Sequence, residues 1–188
     1  MIITGGTGNG YAAKVTAENR LETIAITASN EHHANHDHGT AFNMLFDQAP
    51  TAGDDCIIFI QNTDDVDMCI EGVWLSVSGA CEVYGQLGDT GTRNAATGVI
   101  PANLNAGSGN TADGTFEVGA DLDGGAATLA GGVEFQRYVF RAATDSSMWN
   151  FEQDIIVPKN ATFTFWCSAI VTITGAIVLN YHTLEGGG

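Results

Sequence analysis

Four of the five histidines in this 188-residue chain fall within ten residues, NEHHANHDHG (30–39). His32 and His36 stand four apart, and His36 and His38 would share one face of a strand. Either pair is spaced to chelate zinc or nickel. No glutamate or cysteine at suitable spacing completes a ligand set, and a polar turn between strands is a natural place for solvated imidazoles.

The same residues, His36-Asp37-His38, invite comparison with the cupin metal motif, HxH followed by a glutamate four or five positions on. Positions 41–44 are Ala, Phe, Asn and Met, and the next glutamate is Glu71. VPKNATF places Phe163 where a second-half histidine would stand. Two further stretches resemble ligand loops. MIITGGTGNG begins like a dinucleotide-binding turn, but the third glycine position of that turn is Tyr11, the strand before it is too short, and no strand–helix units follow. DDVD (64–67) and DLDGG (121–125) offer hard oxygens for calcium, yet lack the further acids and the terminal glutamate of an EF-hand loop. Serines are few, and His182 stands alone within a strand-like run, so no nucleophile, base and orienter set emerges. The expectation is no metal, no cofactor and no enzyme.

The elements that would position these residues read as β-strands. Short runs rich in Val, Ile, Thr and aromatics recur between clusters of Gly, Asn, Asp and Ser, at 21–28, 40–46, 56–62, 68–78, 82–87, 133–142, 149–157, 161–170 and 176–184. Trp149, Phe151, Ile155 and Val157 alternate with Asn150, Glu152 and Asp154. Ala161, Phe163, Phe165, Cys167 and Ala169 likewise form an inward set, with Thr162, Thr164 and Ser168 opposite. Helical periodicity with caps is absent over any ten residues, and only 15% of the chain is charged. The pattern predicts an all-β, antiparallel β-sandwich, with a jelly roll the expected arrangement. Trp74, Trp149 and Trp166, the aromatics that a carbohydrate platform would use, sit in apolar strands and read as core.

Two segments depart from this pattern. Residues 1–20 are glycine-rich and read as an extended arm ahead of a domain spanning 21–188, with Ile2, Ile3 and Tyr11 as anchors. Between Gly85 and Gly132 lie twelve of the 24 glycines, one aromatic (Phe116) and one basic residue (Arg93). Such a stretch buries little core of its own, and ordering costs roughly 1–2 kcal/mol per residue, so it is expected to lie against neighbouring subunits.

Six Lys and Arg against 22 Asp and Glu give a formal charge of −16, which repels phosphate backbones and anionic lipid head groups. Nucleic acid and membrane are not expected partners, and the chain reads as soluble and made in a cytoplasm. Cys56, Cys69, Cys81 and Cys167 lack CxxC spacing and read as buried free thiols, with a Cys69–Cys81 disulfide left open.

GNGYAAKVTAENRLETIAITAS, followed by the His-Ala stretch and GTAFNMLF, resembles a pattern in virion structural proteins of tailed bacteriophages. The matching residues are Lys14, Val15, Thr16, Asn19, Arg20, Leu21, Gly39, Ala41, Phe42 and Asn43, and the likeness covers about residues 5–46. IIVPKNATFTF leading to TGAIVLNYHTLE is similar to the final strands of such domains. The resemblance implies a capsid decoration, or cement, protein on the outer shell, commonly a homotrimer, contacting the major capsid protein and sister subunits. Tail, collar and fibre proteins carry similar arms. On this reading Ile2, Ile3, Tyr11, Lys14, Arg20 and Leu21 are the partner-contact residues, with Lys14 and Arg20 pairing with partner carboxylates.

Overall fold

The computed structural model describes residues 34–181. The arm, the expected strand at 21–28 and the six proposed contact residues lie outside this range. A five-residue π-helical turn, Ala34–His38, leads into eleven strands. These are β1 (Ala41–Gln48), β2 (Asp55–Asn62), β3 (Met68–Val77), β4 (Cys81–Leu87), β5 (Thr97–Gly98), β6 (Ala102–Asn103), β7 (Gly114–Val118), β8 (Val133–Phe140), β9 (Ser146–Val157), β10 (Thr162–Cys167) and β11 (Ile173–Tyr181). They form two antiparallel sheets, ordered β6-β1-β11-β3-β9 and β5-β7-β2-β10-β4-β8, which pack as a β-sandwich.

The inward residues of both sheets fill one core. Phe42, Met44 and Phe46 of β1, Val73, Leu75 and Val77 of β3, and Ile177 and Leu179 of β11 meet Ile58 and Ile60 of β2 and Phe163, Phe165 and Cys167 of β10. Phe163 and Phe165 stack edge to face at 4.9 Å, and Phe165 meets Trp149 at 5.4 Å. The alternation expected for 161–169 is therefore observed. In β9 the expected alternation is broken by extra residues: Asn150 pairs with Gly72 and Ile155 with Ile70, and Glu152 takes a φ of +48°. The bulge still leaves Trp149, Phe151, Ile155 and Val157 against the core.

All four cysteines are free and buried, and no Cys69–Cys81 bridge forms. Their chain neighbours explain why: Cys81 and Cys167 face the core, whereas Cys69, between inward Met68 and Ile70, faces the other side of its sheet.

The glycine-rich stretch finds support within its own chain. Three short strands form within it, and Leu122 and Leu129 pack onto Cys56, Phe59 and Trp166, on the outer side of the six-stranded sheet. The body of the same chain seats this excursion. Its base is closed by Thr90 and Ala130, which exchange two backbone hydrogen bonds of 3.0 Å. Asp89 fixes it to the sheet. Its carboxylate accepts from Gly132 N (2.7 Å), Thr164 Oγ1 (2.6 Å) and Trp166 Nε1 (3.2 Å), and its carbonyl accepts from Thr162 Oγ1 at 2.6 Å. Gly132 is required here, because a Cβ would come within 2.6 Å of the Asp89 carboxylate. Thr162 and Thr164 thus point outward as expected, yet are buried under the excursion.

Candidate functional site

The outward face of the five-stranded sheet carries a groove of about 590 Å³. An antiparallel sheet with one solvated face normally presents polar side chains there. This face instead presents Leu45 of β1, Trp74 of β3, Met148 and Ile156 of β9, and Ala176 and Val178 of β11. Leu45 is 65% exposed, Trp74 45% and Met148 72%.

A one-residue bulge builds the groove. Val178 pairs with Gly72 but Leu179 with Ile70, so Glu71 is the extra residue of β3. Met68 and Ile70 face the core before it, and Val73, Leu75 and Val77 after it. The shift turns Trp74 out of the sandwich and brings the Glu71 carboxylate into the groove. There Asn180 Nδ2 donates to Glu71 Oε1. Asn35, from the π-helical turn, and Leu104 complete that end, and Asn150, level with Gly72 and Val178, lines the groove from the far strand. The Oδ1 atoms of Asn35 and Asn180 are buried and accept no hydrogen bond among the described residues.

The three tryptophans therefore separate. Trp149 is core, as expected. Trp166 lies on the outer side of the other sheet, stacked on Tyr84 at 6.3 Å. Trp74, expected inside, faces solvent. The signal that could have placed the bulge in MCIEGVWLSV is Gly72, since an isolated glycine within a strand marks a bulge or a close backbone approach, and a Cβ there would come within 2.8 Å of Trp149 O.

A second constellation lies at the opposite sheet. Asp55, Asp121 and Asp123 bring carboxylate oxygens within 4.8 Å of one another, which joins DLDGG to a residue 66 positions before it. Asp55 Oδ2 accepts from the N–H groups of Thr51 (2.9 Å) and Ala52 (2.7 Å), and Asp123 Oδ1 accepts from Cys56 N at 2.6 Å. Burial raises the Asp123 carboxyl above its ordinary value, and the charges of Asp55 and Asp121 add to the shift. The neighbouring Cys56 thiol is pushed well up, first by burial and then by Asp123. These are hard oxygens of the kind a calcium-like ion takes, but fewer than the roughly six to eight it binds. Thr51 Oγ1 also donates to Asp55 Oδ2 at 3.3 Å, and with the three backbone N–H donors the triad acts as a turn anchor.

Among the described residues, His36 and His38 join no third metal-ligating side chain. His32 and His33 lie outside the described range, as do Ile2, Ile3, Tyr11, Lys14, Arg20 and Leu21. Of the remaining basic residues, Arg93 pairs with Glu117 at 2.7 Å, Arg137 bridges Glu82 and Glu134, and Lys159 meets Asp65. Among the described residues no helix is long and apolar enough to cross a membrane. No protein-family model, curated protein or solved structure matches this chain.

Proposed function

We propose that this chain is a structural, non-catalytic virion protein that binds the outer surface of a tailed-bacteriophage capsid as a decoration protein, bridging shell subunits. The observation that carries the reading is the uncovered apolar face built by Leu45, Trp74, Met148 and Ile156. Exposed apolar patches of this kind mark interaction surfaces. Support also comes from the resemblance over residues 5–46 and from the strand order. With the three short strands set aside, β1-β11-β3-β9 faces β2-β10-β4-β8, the order of an eight-stranded jelly roll. The partners are the major capsid protein and sister subunits of a homotrimer, reached by the arm of residues 1–20 and by this face.

The test is co-sedimentation with phage particles stripped of the protein. The full chain is expected to pellet with them, and a chain lacking residues 1–20 is expected to melt normally yet stay in the supernatant. Binding by the truncated chain at full strength would refute the arm's role, and failure of the full chain would refute the decoration role.

A second reading has its own observation. Trp74 stands exposed beside Asn150, Asn180 and Glu71, an aromatic plane with amide and carboxylate groups, as glycan-binding fibre modules require. Glycan-array binding that Trp74→Ala abolishes would favour it.

A further inference from the structure

The closed end of the groove buries acceptors. Glu71 is 5% exposed and Asn180 0%, and Asn180 spends its Nδ2 on Glu71 Oε1. The Oδ1 atoms of Asn180 and Asn35, both residues of the groove lining, are buried with no donor among the described residues. A buried acceptor in that state is costly, so this end calls for N–H groups from an incoming partner.

Charge narrows the donor. Among the described residues the lining carries one carboxylate, Glu71, and no lysine or arginine, on a chain whose formal charge is −16. A carboxylate and amide oxygens in one pocket favour a cation with several N–H groups. A guanidinium offers five in a planar fork and is more weakly hydrated than an ammonium, so it loses less on burial. Its aliphatic stem suits the apolar floor at Val178. Backbone geometry marks the same end. Between the pairs Gly72–Asn150 and Ile70–Ile155, Glu71 alone on β3 stands against residues 151–154 on β9, and Glu152 takes a φ of +48°. A non-glycine residue in that region is strained, and such residues concentrate at ligand clamps.

Asn180, Val178 and Ala176 are successive outward residues of β11, and Ala176 pairs with Trp74. At about 3.3 Å per residue, the acceptors and Trp74 stand roughly 13 Å apart along the strand. An extended segment spans that distance with side chains four positions apart, which share one face. We propose that the groove takes an extended segment of a partner protein through an arginine and a large apolar residue four positions away. The guanidinium sits at the closed end, against Glu71 and the amide oxygens of Asn35 and Asn180, and the apolar side chain packs on Trp74. The proposal rests on the reading of this face as a shell contact, and it names the chemistry of the shell segment.

The test titrates the full chain with a capped threonine peptide that has arginine at its centre and leucine four positions to either side, so that either chain direction is served. The control peptide carries neutral citrulline in place of arginine. Calorimetry is expected to show the arginine peptide binding at least about tenfold more tightly. Glu71→Gln keeps an Oε1 to accept from Asn180 Nδ2 and is expected to erase that preference, whereas Trp74→Ala weakens both peptides. Equal affinities for the two peptides on the wild-type chain, or binding of neither, would overturn the proposal, and this comparison needs no variant to fold. A glycan that binds the groove while the peptides are not distinguished would overturn it in favour of a sugar. Sedimentation with stripped particles separates the two readings. A Glu71→Gln chain that pellets like the wild type would keep the decoration role and overturn the arginine. A wild-type chain that stays in the supernatant would refute the decoration role, and the peptide preference then decides the groove by itself.

Discussion

On the outside of the six-stranded sheet, Phe59 and Trp166 lie beneath Leu122 and Leu129, with the Arg93 guanidinium 4.2 Å above the Phe59 ring. On the outside of the five-stranded sheet, Trp74, Leu45 and Met148 have no such cover among the described residues and stand exposed. Both faces carry more apolar surface than a solvated antiparallel sheet needs. One is roofed by part of a 48-residue excursion of its own chain, from Gly85 to Gly132, whose Leu122 and Leu129 pack on that sheet while its β6 joins the other. The contrast teaches that an apolar outer face does not by itself mark an interface. What distinguishes the five-stranded face is that the described chain supplies a roof only at one end, through Asn35 and Leu104.

The sharpest way to break this comparison is to remove the pin of the roof. Asp89→Ala leaves Gly132 N, Thr164 Oγ1 and Trp166 Nε1 without their acceptor. Hydrogen bonds to charged groups contribute about 1.5–3 kcal/mol each and are not additive, so a total loss of about 4 kcal/mol is expected. Denaturant unfolding measures it, and hydrogen exchange across 88–132 should rise well before the core strands open. If the excursion keeps its protection, the pin has been misidentified.

Next comes the roof itself. Leu122 is fully buried against Cys56 and Phe59, so Leu122→Ala should cost about 2–5 kcal/mol, as large-to-small core substitutions do. The matching change on the other face is Trp74→Ala. Trp74 is half exposed, and folding stability should move by no more than about 1 kcal/mol, whereas particle binding should fall at least tenfold. A Trp74→Ala chain that binds as tightly as the wild type would remove the open face from the interface.

How far these features were legible follows from where their causes lie. The alternation of β10 is written in six consecutive residues, because strand period and sheet burial act locally. Its Thr164, however, reads as a solvent residue, and only the contact with Asp89, 75 positions away, buries it. Asp89 itself sits in GDTG and looks like any turn aspartate. The excursion's glycines suggest a high ordering cost, from which contact with neighbouring chains is expected. Two leucines, four hydrogen bonds to one aspartate and a Thr90–Ala130 bridge offset that cost within the chain. Trp74 departs from its expected place for a different reason: the bulge at Glu71 inverts the parity of everything after it, and the one sign of it in the sequence is the isolated Gly72.

The acidic triad beneath the roof gives the smallest expected effect and the finest test of how the excursion is joined to β2. The raised pKa of Asp123 means that the folded protein binds this proton more tightly than the unfolded chain does. By linkage, its contribution is least unfavourable below the ordinary aspartate value of 3.8. It becomes fully destabilising once the pH has risen through the raised folded value. Asp123→Asn removes that titration and keeps an Oδ1 to accept from Cys56 N. The stability of the variant relative to the wild type should therefore increase with pH across that window and then level off. Urea melts of both proteins from pH 3.5 upward would show it. A difference that stays flat, or runs the other way, would mean that the three carboxylates do not share the buried environment that the fold gives them, and that the turn is held by its backbone hydrogen bonds alone.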